Sequence, residues 1–145
     1  MNEYIRNEKL IELKVLGLNK KRWSRNSYHL VLVDKLNEKV RMPVIIGHLE
    51  AQNIAIELEG LTPPLPLSHD LMKYIITKLD SSLDFVKITN VSEGIFKTMI
   101  CLKNNHEELI EIEARLSDSI ALALRFDAKI LVNEDILNEY SIEIK

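Results

Sequence analysis

The chain has 145 residues, 46% hydrophobic and 28% charged, which is enough for one globular domain with a substantial core and too apolar for a disordered chain. Its 19 basic and 22 acidic residues give a net charge of −3, so the protein lacks the strong basic excess of many nucleic-acid-binding proteins. No apolar run is long enough to span a membrane, and the single cysteine excludes an internal disulfide or a cysteine-rich zinc site. We therefore expect a cytoplasmic protein.

Alternating apolar residues and short polar turns predict strands through the first third of the chain, at residues 11–18, 28–34 and 40–46. The second of these strands is nearly apolar on both faces, so we expect it in the middle of a sheet. Gly47 is predicted to end the third strand and to cap a helix that runs to about Glu59, and Gly60 is predicted to stop that helix.

The next segment, residues 61–67, holds three of the four prolines and is predicted to be a rigid, extended connector. Ser68 is predicted to cap a second helix, which runs to about Leu79. The apolar side chains of this helix recur at helical spacing and are expected to face the core: Leu71, Met72, Ile75 and Leu79.

Shorter elements follow in the second half of the chain: strands at residues 85–90, 95–102 and 109–114, a helix at 118–126, a strand at 129–132 and a helix at 134–140. In the strand at 109–114, Ile110, Ile112 and Ala114 are expected to face inward and the two glutamates between them outward. Ser117 is expected to cap the helix that follows.

Strands that are grouped in hairpins and interrupted by helices indicate the α+β class. We predict a single compact domain at residues 10–141, with a mixed or largely antiparallel sheet and about four helices packed on it. Residues 1–9 and 142–145 are expected to be loosely attached termini.

Ionisable side chains lie at three junctions at which a strand or connector leads into a helix. The first junction precedes the helix after Gly47, the second precedes the helix that Ser68 is predicted to cap, and the third precedes the helix at 118–126. At the second junction, His69 and Asp70 follow the proline-rich connector, and together they can bind a divalent metal or transfer a proton. Asp70 is also explained without any function, because the helix dipole favours a carboxylate in the first turn by about 0.3–1 kcal/mol.

The third junction contains Arg115 and Asp118. Asp118, with Ser117 before it, fits the first turn of a helix without any further role. By strand alternation Arg115 shares a face with Glu111 and Glu113, which gives either a surface ladder of ion pairs or an arginine that clamps a phosphate.

The first junction contributes Glu50, in the first turn of the first helix. With the other carboxylates and His69 it can bind Mg²⁺ or Mn²⁺, hard ions that prefer oxygen ligands and bridge to phosphate. The sequence contains no zinc-protease, P-loop or serine-hydrolase motif. Cys101, on a strand, is expected to be an inert core residue.

A basic loop lies between the first two strands and consists of Lys20, Lys21, Arg22, Trp23, Ser24 and Arg25. Its cations and its aromatic ring can combine phosphate contacts with base stacking. The alternative is a solvated connection between two strands, since loops are generally polar.

Taken in order, the three junctions resemble the bifunctional nuclease domain family. The similarity is carried by residues 46–55, by Glu59-Gly60 with residues 64–71, and by residues 114–125, and it extends over most of the chain. The resemblance implies a compact α+β domain that tends to oligomerise. Plant members of the family are described as cleaving both RNA and DNA, so the resemblance also implies a nuclease. The chain departs from the family pattern at Leu116, where proline is usual, and at Ser68, where threonine is usual.

Two functional hypotheses follow. In the first, the protein is a nuclease that uses Mg²⁺ or Mn²⁺: Glu50, Asp70 and Asp118 hold the metal or position a water, His69 is the general acid or base, and Arg115 stabilises charge on the phosphate. In the second, it is a non-catalytic oligomeric module whose junction residues tie the fold together or bind a nucleotide or another small anion. RNA or DNA and a second copy of the chain are the expected partners, and no membrane is expected.

Overall fold

The structure of the protein is a computed structural model that describes residues 8–20 and 26–145, with only the backbone described at Lys20. In this part of the chain eight strands form one sheet, and they are β1 Leu10–Lys20, β2 Ser27–Asp34, β3 Asn37–Gly47, β4 Ser82–Ser92, β5 Ile95–Lys103, β6 Leu109–Arg115, β7 Lys129–Asn133 and β8 Ile142–Glu143. The same residues form four helices, α1 His48–Leu58, α2 Ser68–Lys78, α3 Leu116–Phe126 and α4 Glu134–Tyr140.

The strand order is β6-β5-β4-β7-β1-β2-β3-β8, and every neighbouring pair is antiparallel except β4 and β7. The predicted α+β class with a mixed, mostly antiparallel sheet is therefore confirmed. β2 lies between β1 and β3, and it buries four consecutive residues, Leu30, Val31, Leu32 and Val33. Burial on both faces is what a strand without apolar alternation requires.

Helix α3 is the centre of the helical layer, because α1 and α2 both pack against it and it contacts β4, β5, β6 and β7. Eight of its residues are buried, including Ala121 and Ala123, whose small side chains allow a close approach to neighbouring elements. Below its first turn, Thr98 of β5 donates to the carbonyl oxygen of Ala114 at 2.7 Å and lies 2.5 Å from the hydroxyl of Ser119. These hydrogen bonds fix the start of α3 over the sheet.

Helix α2 has the opposite orientation to the one predicted. The apolar side chains that were expected inside are exposed, namely Leu71, Met72, Ile75 and Leu79. The face towards α3 instead carries His69, Asp70 and Lys73, which make polar contacts with that helix. The apolar spacing predicts correctly that one face of α2 is hydrophobic, but the spacing does not determine which face the rest of the chain covers.

Strand β6 forms one edge of the sheet. Ile110 and Ile112 pair with Leu102 and Ile100 of β5, yet they are 43% and 46% exposed. Their predicted burial is wrong because, among residues 8–20 and 26–145, β6 is the last strand in this direction and has a neighbour on one side only.

The helix starts differ from the prediction by one or two residues. Helix α2 is preceded by Leu67, whose backbone N–H donates to Asp70 Oδ2 at 3.0 Å, so the predicted cap by Ser68 is wrong. Helix α3 begins directly after Arg115, which places Ser117 inside the first turn rather than at the cap. Gly47 precedes α1 and Gly60 follows it with φ +68°, as predicted.

The end of the chain is part of the sheet. Ile142 pairs with Arg41 of β3, and the N–H of Ile144 donates to the carbonyl oxygen of Lys39 at 2.8 Å. Residues 142–144 are thus held by the backbone of β3, contrary to the expectation of a loose C-terminus. None of the helices in residues 8–20 and 26–145 has the length and apolar character that crossing a membrane requires.

Candidate functional site

The first turns of three helices meet at one place in the structure. Glu50 is the third residue of α1, His69 the second residue of α2 and Asp118 the third residue of α3. Arg115, which caps α3, reaches both carboxylates: its Nε lies 2.9 Å from Asp118 Oδ2 and its Nη1 lies 3.5 Å from Glu50 Oε1. Residues from all three predicted junctions therefore converge.

Asp118 is the central group of this cluster. It accepts hydrogen bonds from Arg115 Nε and Nη2, at 2.9 and 3.3 Å, and lies 3.0 Å from His69 Nε2. Burial by itself would raise the pKa of Asp118, but the hydrogen bonds from Arg115 and His69 outweigh it and hold the pKa below its usual value. Asp118 is therefore an ionised carboxylate that orients the guanidinium of Arg115.

His69 lies behind Asp118 and is buried. Because an ionised carboxylate can only accept, the hydrogen bond with Asp118 requires a proton on Nε2 of His69. Nδ1 is buried and has no hydrogen-bond partner in the described part of the chain. The imidazole therefore touches the cluster through Asp118 alone, and its predicted role as a general acid or base stays a prediction.

Glu50 is positioned by the glycine before α1. A Cβ atom at Gly47 would collide with Glu50 Oε2, so the glycine gives the carboxylate room to fold back over the strand end. The φ angle of Gly47 is −75°, which any residue adopts, so space rather than backbone conformation explains the glycine. Gly47 thereby allows Glu50 to point towards Arg115.

Asp70 belongs to a second pair that is separate from this cluster. Its Oδ1 accepts from Arg125 Nε at 2.7 Å, and Arg125 also donates to the carbonyl oxygens of Ala121 and Asn53. Burial acts to raise the pKa of Asp70, but the bonds from Arg125 and from the Leu67 N–H lower it below its usual value. This pair connects α1, α2 and α3.

A cleft of about 620 Å³ opens beside the cluster, between the end of β3, the turn from β4 to β5, and the end of β6. Four charged side chains line it: Glu50, Lys97, Glu113 and Arg115. Much of the remaining wall is apolar and includes Ile46 and Phe96. The cleft thus combines a hydrophobic wall with a charged rim, the usual composition of a small-ligand site.

The wall formed by β5 is a part of the site that no motif predicts. Lys97 lies in the cleft because it pairs with Arg115 in the antiparallel register of β5 and β6. A correct prediction of the register between β5 and β6 would have placed Lys97 beside Arg115. Residues 21–25 of the basic loop lie outside the described residues, so the predicted nucleic-acid contacts of Lys20 to Arg25 stay a prediction.

The predicted use of Mg²⁺ or Mn²⁺ stays a prediction. Among residues 8–20 and 26–145, no group of three or more His, Cys, Asp and Glu side chains is arranged to hold a metal ion. Glu50 and Asp118 both face the guanidinium of Arg115, and Asp70 faces Arg125. Burial raises the pKa of the Cys101 thiol to about 11, which fits its predicted role as an inert core residue.

Comparison with known proteins identifies the domain. The bifunctional nuclease domain matches residues 30–145. Two proteins of Mycobacterium tuberculosis, the uncharacterized protein MT1877 of strain CDC 1551 / Oshkosh and the uncharacterized protein Rv1829 of strain H37Rv, are each 35% identical over 133 residues, which cover 92% of this chain and 77% of the relative. The chain therefore belongs to the bifunctional nuclease domain family.

Proposed function

We propose that this protein is a cytoplasmic nuclease that hydrolyses phosphodiester bonds in RNA and DNA, with the scissile phosphate bound by Arg115 at the rim of the cleft. One observation carries the proposal: the side chain of Arg115 is 68% exposed although two carboxylates hold it. By comparison, the side chain of Arg125, which connects α1, α2 and α3, is 2% exposed. Arg115 is fixed in orientation and still open to a ligand.

The guanidinium has the capacity to bind a phosphate in this position. Of its five N–H donors, three are directed at Asp118 and Glu50, which leaves two for phosphate oxygens. A planar pair of donors matches two oxygens of a phosphodiester, and its positive charge stabilises the negative charge that develops as phosphorus is attacked. Lys97 adds a second cation to the same cleft.

Glu50 is the group that we assign to proton transfer. It lines the cleft, and its only partner among the described residues is Arg115, at the long distance of 3.5 Å. In the proposed step, Glu50 takes a proton from a water whose oxygen attacks phosphorus, the P–O bond to the leaving oxygen breaks, and that oxygen takes a proton from solvent. Asp118 and His69 act as positioning residues for Arg115.

The test is cleavage of labelled single-stranded RNA and DNA by the purified full chain, with Mg²⁺ and with EDTA. We expect Arg115→Ala to lower the cleavage rate about 100-fold or more, the usual cost of removing one donor that stabilises the transition state. We expect Glu50→Gln to lower it by a similar factor, since a general base usually contributes about 100-fold or more. Arg41→Ala is the matched control, because Arg41 lies outside the cleft. Undetectable cleavage by the wild type, or equal rates for wild type and Arg115→Ala, would contradict the proposal, and the EDTA arm tests the predicted metal dependence separately.

A second candidate is the non-catalytic oligomeric module that binds a nucleotide or another small anion. It is favoured by the fact that Asp70 and Asp118 are both saturated by arginines on neighbouring elements, as expected of purely structural groups. If this candidate is correct, a nucleotide binds in the cleft and is recovered intact. Arg115→Ala then weakens nucleotide binding, and neither wild type nor the variant cleaves RNA or DNA. If wild type forms cleaved product and Arg115→Ala does not, the result favours the nuclease.

A further inference from the structure

The cleft beside Arg115 has a hydrophobic wall that the proposed chemistry does not use. Ile45 of β3 and Ile95 of β5 line the cleft, and they are 57% and 65% exposed. Phe96 follows Ile95 in the same wall, and its ring packs edge-to-face with Tyr140, with 5.4 Å between the two ring centroids. Large apolar side chains that are exposed in a charged cleft are available for the uncharged part of a ligand.

The register of β5 and β6 places this wall beside the proposed phosphate position. Lys97 of β5 lies directly opposite Arg115 of β6, so the two cations occupy the same place along the cleft. Ile95 precedes Lys97 by two residues, which puts both side chains on the same face of β5, about 6.6 Å apart along the strand. A phosphate that the two cations hold therefore has an apolar surface within the length of one nucleotide.

Glu113 limits the cleft to a single phosphate. It lines the cleft and pairs with Met99, so it lies on the side of the two cations that is away from Ile95. Among residues 8–20 and 26–145, the side chain of Glu113 has no hydrogen-bond or ion-pair partner. A second phosphate on that side would meet a carboxylate, and like charges repel. A row of phosphates, as on one strand of a duplex, does not match this cleft, whereas one phosphate beside one base does.

We propose that the cleft is a subsite for one unpaired nucleobase next to the scissile phosphate. The base packs on Ile45 and Ile95 while Arg115 and Lys97 hold the phosphate, and it reaches this wall only when it is neither paired nor stacked in a helix. The substrate of this protein is then single-stranded RNA or DNA, or an unpaired segment of a folded nucleic acid. This assignment rests on the proposed function in one respect, namely the phosphate at Arg115.

The size of the cleft agrees with a ligand of this kind. Its volume of about 620 Å³ lies within the roughly 300–1,000 Å³ of small-ligand pockets, which is room for one nucleotide. A base pair would bring a second base and a second backbone into the same space. The carboxylates of Glu50 and Glu113 line the cleft and disfavour the additional phosphates. Duplex is therefore the competing ligand that both size and charge disfavour.

The first test compares two ligands that share a phosphate and differ in the base. AMP and ribose 5-phosphate are titrated into the full chain and followed by NMR chemical shifts, once with Mg²⁺ and once with EDTA. Neither ligand contains a phosphodiester bond, so a nuclease does not consume it. We expect AMP to bind about 5-fold or more tighter than ribose 5-phosphate, the low end of what base stacking on an aromatic side chain contributes. Equal dissociation constants, or no binding of AMP in either buffer, overturn the subsite.

Two variants of exposed side chains locate the contribution of the base. We expect Ile45→Ser and Ile95→Ser each to reduce the preference for AMP about 2-fold or more, because each removes apolar area that the base covers, and to leave the dissociation constant of ribose 5-phosphate unchanged. Leu36→Ser is the matched control, because Leu36 is 95% exposed in the turn between β2 and β3 and lies outside the cleft. Arg115→Ala weakens both ligands alike. If both isoleucine variants keep the wild-type preference for AMP, the base does not bind at this wall and the proposal fails.

Binding of a longer nucleic acid tests the requirement for a single strand. A fluorescently labelled DNA strand of about 12 nucleotides, alone and annealed to its complement, is titrated with Glu50→Gln in Mg²⁺ and read by fluorescence anisotropy. We expect the single strand to bind about 10-fold or more tighter than the duplex, because a paired base must first be extruded. Equal or tighter binding of the duplex overturns the proposal.

The base subsite and the nuclease activity can fail separately. Cleavage that depends on Arg115, together with equal affinities for AMP and ribose 5-phosphate, supports the nuclease and overturns the subsite. A preference for AMP that Ile95→Ser reduces, without any cleavage of RNA or DNA by the wild type, supports the subsite and overturns the nuclease.

Discussion

Two Asp–Arg pairs in this protein have the same local design and different surroundings. In each, the aspartate is the third residue of a helix, Asp70 in α2 and Asp118 in α3, and in each it holds an arginine at 2.7–2.9 Å. The side chain of Arg125 is 2% exposed and bonds to two backbone carbonyls, whereas that of Arg115 is 68% exposed beside the cleft. The Asp70–Arg125 pair connects buried parts of three helices, whereas Arg115 of the second pair is exposed and is the residue that we propose binds a phosphate.

The largest effect expected from this comparison is on stability. Arg125→Ala removes a side chain that is 2% exposed and whose guanidinium bonds Asp70 and two backbone carbonyl oxygens, which we expect to lower the free energy of unfolding by about 3–5 kcal/mol. Arg115→Ala removes an exposed partner, and we expect a loss of no more than about 1 kcal/mol. Urea denaturation at pH 7 measures both. Equal losses would show that exposure does not separate the two pairs.

The next effect is a dependence on pH that the two pairs share. Asp70 and Asp118 have pKa values below their usual range in the folded protein. A carboxylate with a lowered folded pKa contributes stability that is fully present above its unfolded pKa, about 3.9, and is lost as the pH falls through the folded value. We therefore expect Asp70→Asn and Asp118→Asn to be less stable than wild type at pH 7.

The direction of this change of stability with pH provides the control. Below about pH 4 these carboxylates become protonated in the unfolded chain while they stay ionised in the folded one, so the difference in unfolding free energy between wild type and either variant should shrink as the pH falls towards the lowered folded pKa values. Urea denaturation at several pH values between 7 and 3 measures this difference in unfolding free energy. A difference that stays constant down to pH 3 would mean that ionised Asp70 and Asp118 do not stabilise the fold.

The smallest effect concerns the placement of Glu50. In Gly47→Ala the new Cβ displaces the Glu50 carboxylate, which lies at the end of a flexible side chain, so we expect little change in stability. The distance to Arg115 should grow, and cleavage or anion binding should fall several-fold. Gly17→Ala is the matched control, because a Cβ at Gly17 meets nothing within 4 Å. A destabilised Gly47→Ala with unchanged activity would make Gly47 purely structural.

Most strands and helices can be predicted from the sequence because their signals are local. The buried strand β2, the helix after Gly47 and the last helix, Glu134–Tyr140, all follow from periodicity and stop residues within a few positions. The orientation of α2 cannot be predicted in this way. Its apolar spacing is real, but the bonds of His69 and Asp70 to α3 turn that face outward, and those bonds join residues about 50 positions apart.

The candidate site could be predicted only in part for the same reason. Each of Glu50, His69, Arg115 and Asp118 is conspicuous in its own junction, but the junctions meet only because α1, α2 and α3 start next to one another. Asp70 looks similar in sequence and belongs instead to the buried pair. Lys97 carries no signal until the register of β5 with β6 is known.

Strand β7 joins the two halves of the sheet that lies beneath this site. It pairs in antiparallel fashion with β1 and in parallel with β4, and so it joins two groups of strands, β1-β2-β3 and β4-β5-β6, which are each built from neighbouring hairpins. Hairpins of neighbouring strands form quickly, whereas contacts between distant residues form late. During synthesis the inner edges of β1 and β4 therefore remain open until residues 129–133 arrive, and the helix that carries Asp118 is the connection that delivers them. Until β7 inserts between β1 and β4, the nascent chain exposes an unpaired edge on each of these two strands, and pairing with β7 removes both of these sites of possible aggregation.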